Sequence, residues 1–170
     1  PCLDVVIRTQ GPLIGVESKR YEPYRPKKQK PHSAAYRRDV WGEQMLGYAQ
    51  ALEFEDCRQG TFSCLDAAQL VKHAFAIRTQ VHRAEDLGRT GILYYLYADP
   101  AVWPDGSPVS TKLRNQHQAD VRRFSEMVAD CEVRFIAATY RDVLQSWRRS
   151  RNDDLVAHAE AVSAWLRIDC

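Results

Sequence analysis

The sequence predicts an α/β fold, a mixed central β-sheet flanked by α-helices, and three observations lead there. Two β-branched runs near the start are separated by a Gly-Pro turn, as in a hairpin. Gly91 to Ala98 is almost wholly apolar or aromatic and is bounded by Gly and Asp-Pro, as a central strand should be. A stretch of helical periodicity then joins that run to another at Val133 to Tyr140. A hairpin is antiparallel, whereas two strands joined through a helix need a parallel crossover, so the sheet must be mixed.

Taken in order, Asp4 to Arg8 alternates around Val5, Val6 and Ile7, and after Gly11-Pro12 an extended pattern resumes from Leu13 to Lys19. Closing this hairpin with Gln10 opposite Leu13 sets Asp4 opposite Lys19 and diagonal to Glu17. Tyr21 to Pro31 holds Pro23, Pro26 and Pro31 too closely for a helix interior and reads as a loop. From about Asp39 to Glu55, Val40, Trp41, Met45, Tyr48, Ala49 and Leu52 fall at helical spacing, with Gly42 and Gly47 weakening the helix. Ser63-Cys-Leu-Asp66 has the form of a capping box, opening a helix whose buried stripe is Ala67, Leu70, Val71, Ala74, Ile77 and Val81. Beyond the Gly91 strand, Leu113, His117, Val121, Phe124, Val128 and Cys131 share one helical face. Helices over Arg141 to Arg149 and, with Asn152 as cap, Leu155 to Arg167 close the chain.

A chain of 170 residues suits one domain, expected to span 1–170. With 45% hydrophobic and 27% charged residues it lies near the average of globular domains, and no window approaches the roughly 20 apolar residues of a membrane span. The sequence also opens without a leader pattern, so the expectation is a cytoplasmic protein with no membrane partner. The five cysteines form no C-x-x-C pair, and the five histidines no H-E-x-x-H pattern, which argues against zinc chemistry. No Gly-rich phosphate loop occurs either. Net charge is only +2, yet the segment from Lys19 to Arg38 has eight Lys or Arg and one acid, or +7, leaving −5 for the rest. Charge concentrated in this way points to a polyanionic partner. Arg25, Lys27, Lys28, Lys30, Arg37 and Arg38 are the candidate phosphate contacts, with Tyr21, Tyr24 and Tyr36 interleaved to stack on bases or to pack.

The candidate catalytic residues are Asp4, Glu17 and Lys19. Positions 17 and 19 project from the same face of a strand, and a hairpin brings an acid on the neighbouring strand within reach of both. Two carboxylates so placed suit a hard cation of Mg²⁺ type, and an adjacent ammonium serves to orient or deprotonate water or to stabilise developing charge. An acid-x-Lys triplet arises by chance about once or twice in a chain of this length, so its weight comes from context. Of six lysines only Lys19 has an acid two residues before it, and that triplet ends an apolar strand followed at once by the basic loop.

These residues, Leu3-Asp4-Val5-Val6-Ile7 and Ile14-Gly15-Val16-Glu17-Ser18-Lys19, resemble the PD-(D/E)XK nuclease superfamily, with its Asp on one strand and Glu-x-Lys on the next. The resemblance implies a restriction-endonuclease-like core. It implies that Asp4 and Glu17 hold Mg²⁺, or Mn²⁺ in its place, with the Ser18 carbonyl as a further ligand and Lys19 catalytic. It also implies DNA as the partner, allows a homodimer that cuts both strands, and gives Gln69 or Lys72 on the following helix an accessory role. Members carry a helix ahead of the first motif strand, and the expected domain lacks it. The function expected is therefore metal-dependent hydrolysis of DNA phosphodiesters. The alternative is an inactive nuclease-like domain that binds nucleic acid or protein.

Overall fold

The computed structural model describes residues 2–26, 36, 40–56, 62–83 and 88–166. Four strands form one sheet in the order β1-β2-β3-β4: β1 is Val5–Arg8, β2 Leu13–Lys19, β3 Gly91–Tyr97 and β4 Arg134–Thr139. β1 pairs antiparallel with β2, while β2–β3 and β3–β4 are parallel. Five helices are described: α1 (Leu46–Asp56), α2 (Ala67–Val81), α3 (Thr111–Met127), α4 (Tyr140–Arg148) and α5 (Asp153–Leu166). The expected α/β class, mixed sheet and parallel crossover are all present.

The hairpin register differs from the expected one. Arg8, not Gln10, sits opposite Leu13, and Val5 opposite Val16, so Asp4 lies one step further along, against Glu17 rather than Lys19. A two-residue primed turn would need a positive φ at Gly11, and the glycines with positive φ are 42, 88 and 106. A four-residue connection forms instead. The Thr9 hydroxyl donates to the Pro12 carbonyl at 2.9 Å and accepts the Gly11 N–H at 3.1 Å.

The core lies on one side of the sheet. Leu13, Gly15 and Glu17 of β2 and Gly91, Leu93, Tyr95 and Tyr97 of β3 are buried beneath α2, whereas alternate residues on the other face are only half-buried. The expected stripe of α2 is buried throughout, and Ala68, His73 and Phe75 join it because the helix is wedged between the sheet and α1. β1 is an exposed edge strand, with Val5, Val6 and Ile7 between 45% and 54% accessible.

Two helix starts are corrected. The segment expected to be helical from Asp39 begins as a 3-10 turn at Glu43–Met45 and becomes α1 at Leu46, because Gly42 adopts φ +73 and leaves Val40 exposed. Gly47 in turn is where α1 meets α3, since a Cβ there would stand 2.1 Å from the Met127 carbonyl oxygen. Asp66, not Ser63, caps α2, accepting the Gln69 N–H at 3.0 Å. The turn before it is held from α3 by buried Asp120, whose carboxylate accepts the N–H groups of Cys64 at 2.6 Å and Leu65 at 3.2 Å. α3, β4 and α5 form within a few residues of their expected bounds, and the Asn152 side chain accepts the Leu155 N–H at 3.2 Å, as a cap should. Among the described residues no helix is long and apolar enough to cross a membrane.

Replacing Asp120 by Ala would remove the carboxylate to which two buried N–H groups donate. The expected loss is about 3 kcal/mol of stability and about 6–12 °C of Tm, measured by calorimetry. An unchanged Tm would show that the 64–65 turn does not depend on α3.

Candidate active site

Period two in β2 places Glu17 and Lys19 together on the face covered by α2. The Lys19 Nζ lies 2.5 Å from Glu17 Oε1. From α2, His73 Nε2 approaches Glu17 Oε2 to 3.0 Å without the alignment of a hydrogen bond, so that oxygen and both ring nitrogens of His73 are buried with no hydrogen-bond partner. Glu17 and His73 are each 1% exposed. Burial opposes ionisation of Glu17, but the contacts with His73 and Lys19 outweigh it and hold the carboxyl below the ordinary range.

A cavity of about 250 Å³ opens beside this cluster, lined by Glu17, Lys19, Glu22, Asp66, Gln69 and Tyr95 among others. Two of its acids serve the backbone. Glu22 accepts the N–H groups of Arg20 and Tyr21 at 2.8 and 2.9 Å, and Asp66 caps α2. For Glu22, too, burial works against the charge but these backbone donors prevail and lower the pKa. Gln69 lines the cavity. Lys72 does not line it, and its ammonium sits 5.7 Å from the centre of the Tyr36 ring.

Asp4 stands at the edge of the sheet. Its Oδ2 accepts the Ser18 N–H at 2.8 Å, and its own N–H donates to the Val16 carbonyl at 3.1 Å. The Lys19 carbonyl faces the opposite edge and accepts the Ala98 N–H at 2.8 Å. Because N–H and C=O of one strand residue point to the same edge, the Ser18 carbonyl projects on the side where Asp4 lies. The Ser18 hydroxyl shares a 2.5 Å hydrogen bond with the Tyr140 hydroxyl, tying the end of β2 to α4. Glu17 and Lys19 are thus in direct contact, while Asp4 is anchored to the residue between them and does not line the cavity. Among the described residues no group of three or more His, Cys, Asp or Glu side chains gathers to hold a metal.

Of the candidate phosphate contacts, Arg25 is exposed, with its guanidinium 5.8 Å from the Trp103 ring centre. Lys27, Lys28, Lys30, Arg37 and Arg38 lie outside the described residues. The three tyrosines divide. Tyr24 is buried, donates to the Ala98 carbonyl at 2.8 Å, and has its pKa pushed far up by burial, so it packs. Tyr36 stacks on Phe75, and Tyr21 stacks on Trp103.

His73, one of the five histidines outside any H-E-x-x-H pattern, is a further member of this cluster. Its spacing held the signal, because it follows Leu70 by three and precedes Ile77 by four, on the face turned to the sheet. No known protein family, curated protein or solved structure matches the chain.

The lowered pKa of Glu17 sets a pH dependence. A carboxyl whose folded pKa lies below its unfolded value of about 4.5 contributes stability that is full above that value and is lost as pH falls through the folded pKa. The Tm advantage of the wild type over Glu17→Gln should therefore be constant near neutrality and shrink as pH falls below about 4.5. A difference independent of pH across that window would mean that the ionised carboxylate is not the favoured form.

Proposed function

We propose that the chain is a metal-dependent nuclease of PD-(D/E)XK type, restriction-endonuclease-like in its core, hydrolysing DNA phosphodiesters at Asp4, Glu17 and Lys19. One observation carries the reading: Glu17 and Lys19 are in contact at the mouth of a cavity, with the Asp4 carboxylate fixed on the intervening Ser18. The donor set fits Mg²⁺. That ion keeps several waters and uses one or two carboxylates, so two acids and the Ser18 carbonyl suffice. Glu17 Oε2, buried and lacking a hydrogen-bond partner, is an oxygen with a lone pair to give.

In this reading Asp4 and Glu17 hold the ion and the Ser18 carbonyl adds a ligand. A bound Mg²⁺ there supplies a water that is nucleophilic near neutral pH and compensates charge on the phosphoryl oxygens. Lys19, which lines the cavity, would orient the attacking water or meet the growing negative charge on the phosphoryl oxygens. Gln69 faces the same space and is the accessory residue of the two proposed; Lys72 belongs with Tyr36. Arg25 and the basic segment after it hold flanking phosphates.

A second reading, an inactive domain of this type that binds nucleic acid or protein, is favoured by the Glu17–Lys19 pair, which satisfies the acid without a metal, and by the lack of a three-ligand group among the described residues. Cleavage of labelled DNA separates the two. The wild type should cut with Mg²⁺ or Mn²⁺ and not with EDTA, and Lys19→Ala should lower the rate by about 10²- to 10³-fold while the circular dichroism spectrum is unchanged. Cleavage that survives Lys19→Ala, or that ignores EDTA, would rule out this active site. Salt-sensitive DNA binding with no cleavage would establish the second reading.

A further inference from the structure

The larger cavity of the described residues, about 670 Å³, lies beyond the carboxyl ends of the parallel strands and has no part in the site above. Ligand crevices of open α/β sheets form at such strand ends, and roughly 300–1,000 Å³ is the usual size of a ligand pocket. Its lining combines aromatic rings with arginines. Tyr21 and Trp103 stack at 5.5 Å between centroids and 24° between planes, and the Arg20 guanidinium sits 5.3 Å from the Tyr21 ring. α5 contributes Trp165, 78% exposed, to the same lining, which also includes Arg141.

The acids of the lining are engaged elsewhere. Asp99 accepts two hydrogen bonds from Arg114, at 2.6 and 2.7 Å, and one from Gln118 at 3.2 Å. Asp142 accepts from the N–H and hydroxyl of Thr139, capping α4. Arg20 donates to the Leu166 carbonyl and lies against the Tyr21 ring. The cleft therefore presents two arginines together with aromatic rings, while its two acids are held by protein partners. An apolar ligand would make no use of the arginines, and a small inorganic anion none of the rings. Unpaired nucleobases strung on phosphates use both. In a duplex those base faces are already stacked, so the complementary ligand is a single strand.

We infer that this cleft binds single-stranded nucleic acid, stacking an unpaired base against Trp165 and the Trp103–Tyr21 pair while Arg20 and Arg141 contact flanking phosphates. The inference deepens the nuclease reading and rests on it for one consequence. Lys19, Arg20 and Tyr21 are consecutive, so a strand seated in the cleft passes its backbone beside Lys19, making the substrate a single strand or an unpaired end.

The test is fluorescence anisotropy in EDTA, where binding is read without metal-dependent cutting, using a labelled oligothymidylate and oligouridylate of about a dozen nucleotides and a duplex of equal length. The wild type should bind single strands at least about tenfold more tightly than the duplex, and Trp165→Ala should weaken that binding by about fivefold or more without changing Tm. Trp103→Ala should act the same way, and oligouridylate bound as tightly as oligothymidylate would support a cleft that reads bases without reading the sugar. Single strands bound no better than duplex, or both Trp variants binding as the wild type does, would overturn the cleft. Cleavage with Mg²⁺ separates the failures. Single-strand binding that depends on Trp165 without any cutting leaves the cleft and removes the nuclease, whereas cutting indifferent to both Trp variants and to strandedness leaves the nuclease and removes the cleft.

Discussion

Taking an ionised carboxylate out of water costs several kcal/mol unless other groups answer its charge, and Glu17 is 1% exposed in the face of a sheet. Two side chains answer it: Lys19, two residues along the same strand, and His73 from the helix above. Together they outweigh the desolvation that burial imposes, which is why the carboxyl ionises more readily than usual. This arrangement demands that β2 run straight from Leu13 to Lys19, that α2 lie directly over it, and that a parallel β3 cover its other edge. The rest of the fold supplies those conditions. A buried acid that could be replaced by a better-packed apolar residue calls for a reason beyond stability, and metal binding is the reason proposed here.

The end of β2 is where three parts of the molecule meet. Ser18 holds Asp4 through its N–H and Tyr140 through its hydroxyl, so the β1 edge and the start of α4 are both referenced to one residue. One step on, the Lys19 carbonyl is bound by Ala98, and beyond it Glu22 pins the backbone of Arg20 and Tyr21. The turn after Lys19 is consequently fixed in direction. It carries the chain from the lining of the small acidic cavity, at Lys19, to that of the large aromatic cleft, at Arg20 and Tyr21.

Much of this was legible in the sequence, for identifiable reasons. The strands of the core alternate or are continuously apolar, a helix between two such strands forces a parallel crossover, and the stripe of α2 repeats at helical spacing. The contact of Glu17 with Lys19 follows from period two alone. The position of Asp4 did not follow, because register depends on the loop, and side-chain bonds of Thr9 rather than the Gly11-Pro12 pair determine that loop. The α2 cap lies later for a similar reason: Asp120, distant in sequence, holds the Cys64 and Leu65 N–H groups in a turn, and the helix starts only after Asp66. Helical spacing places His73 on the buried face of α2, but its partner Glu17 is fixed only by the packing of α2 on β2. The large cleft is assembled from the ends of β2, β3 and β4 and from α5, a convergence that no local pattern encodes.

The account turns on a divalent ion shared by the acids of two neighbouring segments. A crystal of the chain soaked in Mn²⁺ and recorded at the manganese edge tests this most directly. A shared ion should give an anomalous peak within about 2.5 Å of carboxylate oxygens of both Asp4 and Glu17, with the Lys19 ammonium drawn off Glu17. A fully soaked crystal with no peak there, and with Glu17 still paired to Lys19, would contradict it.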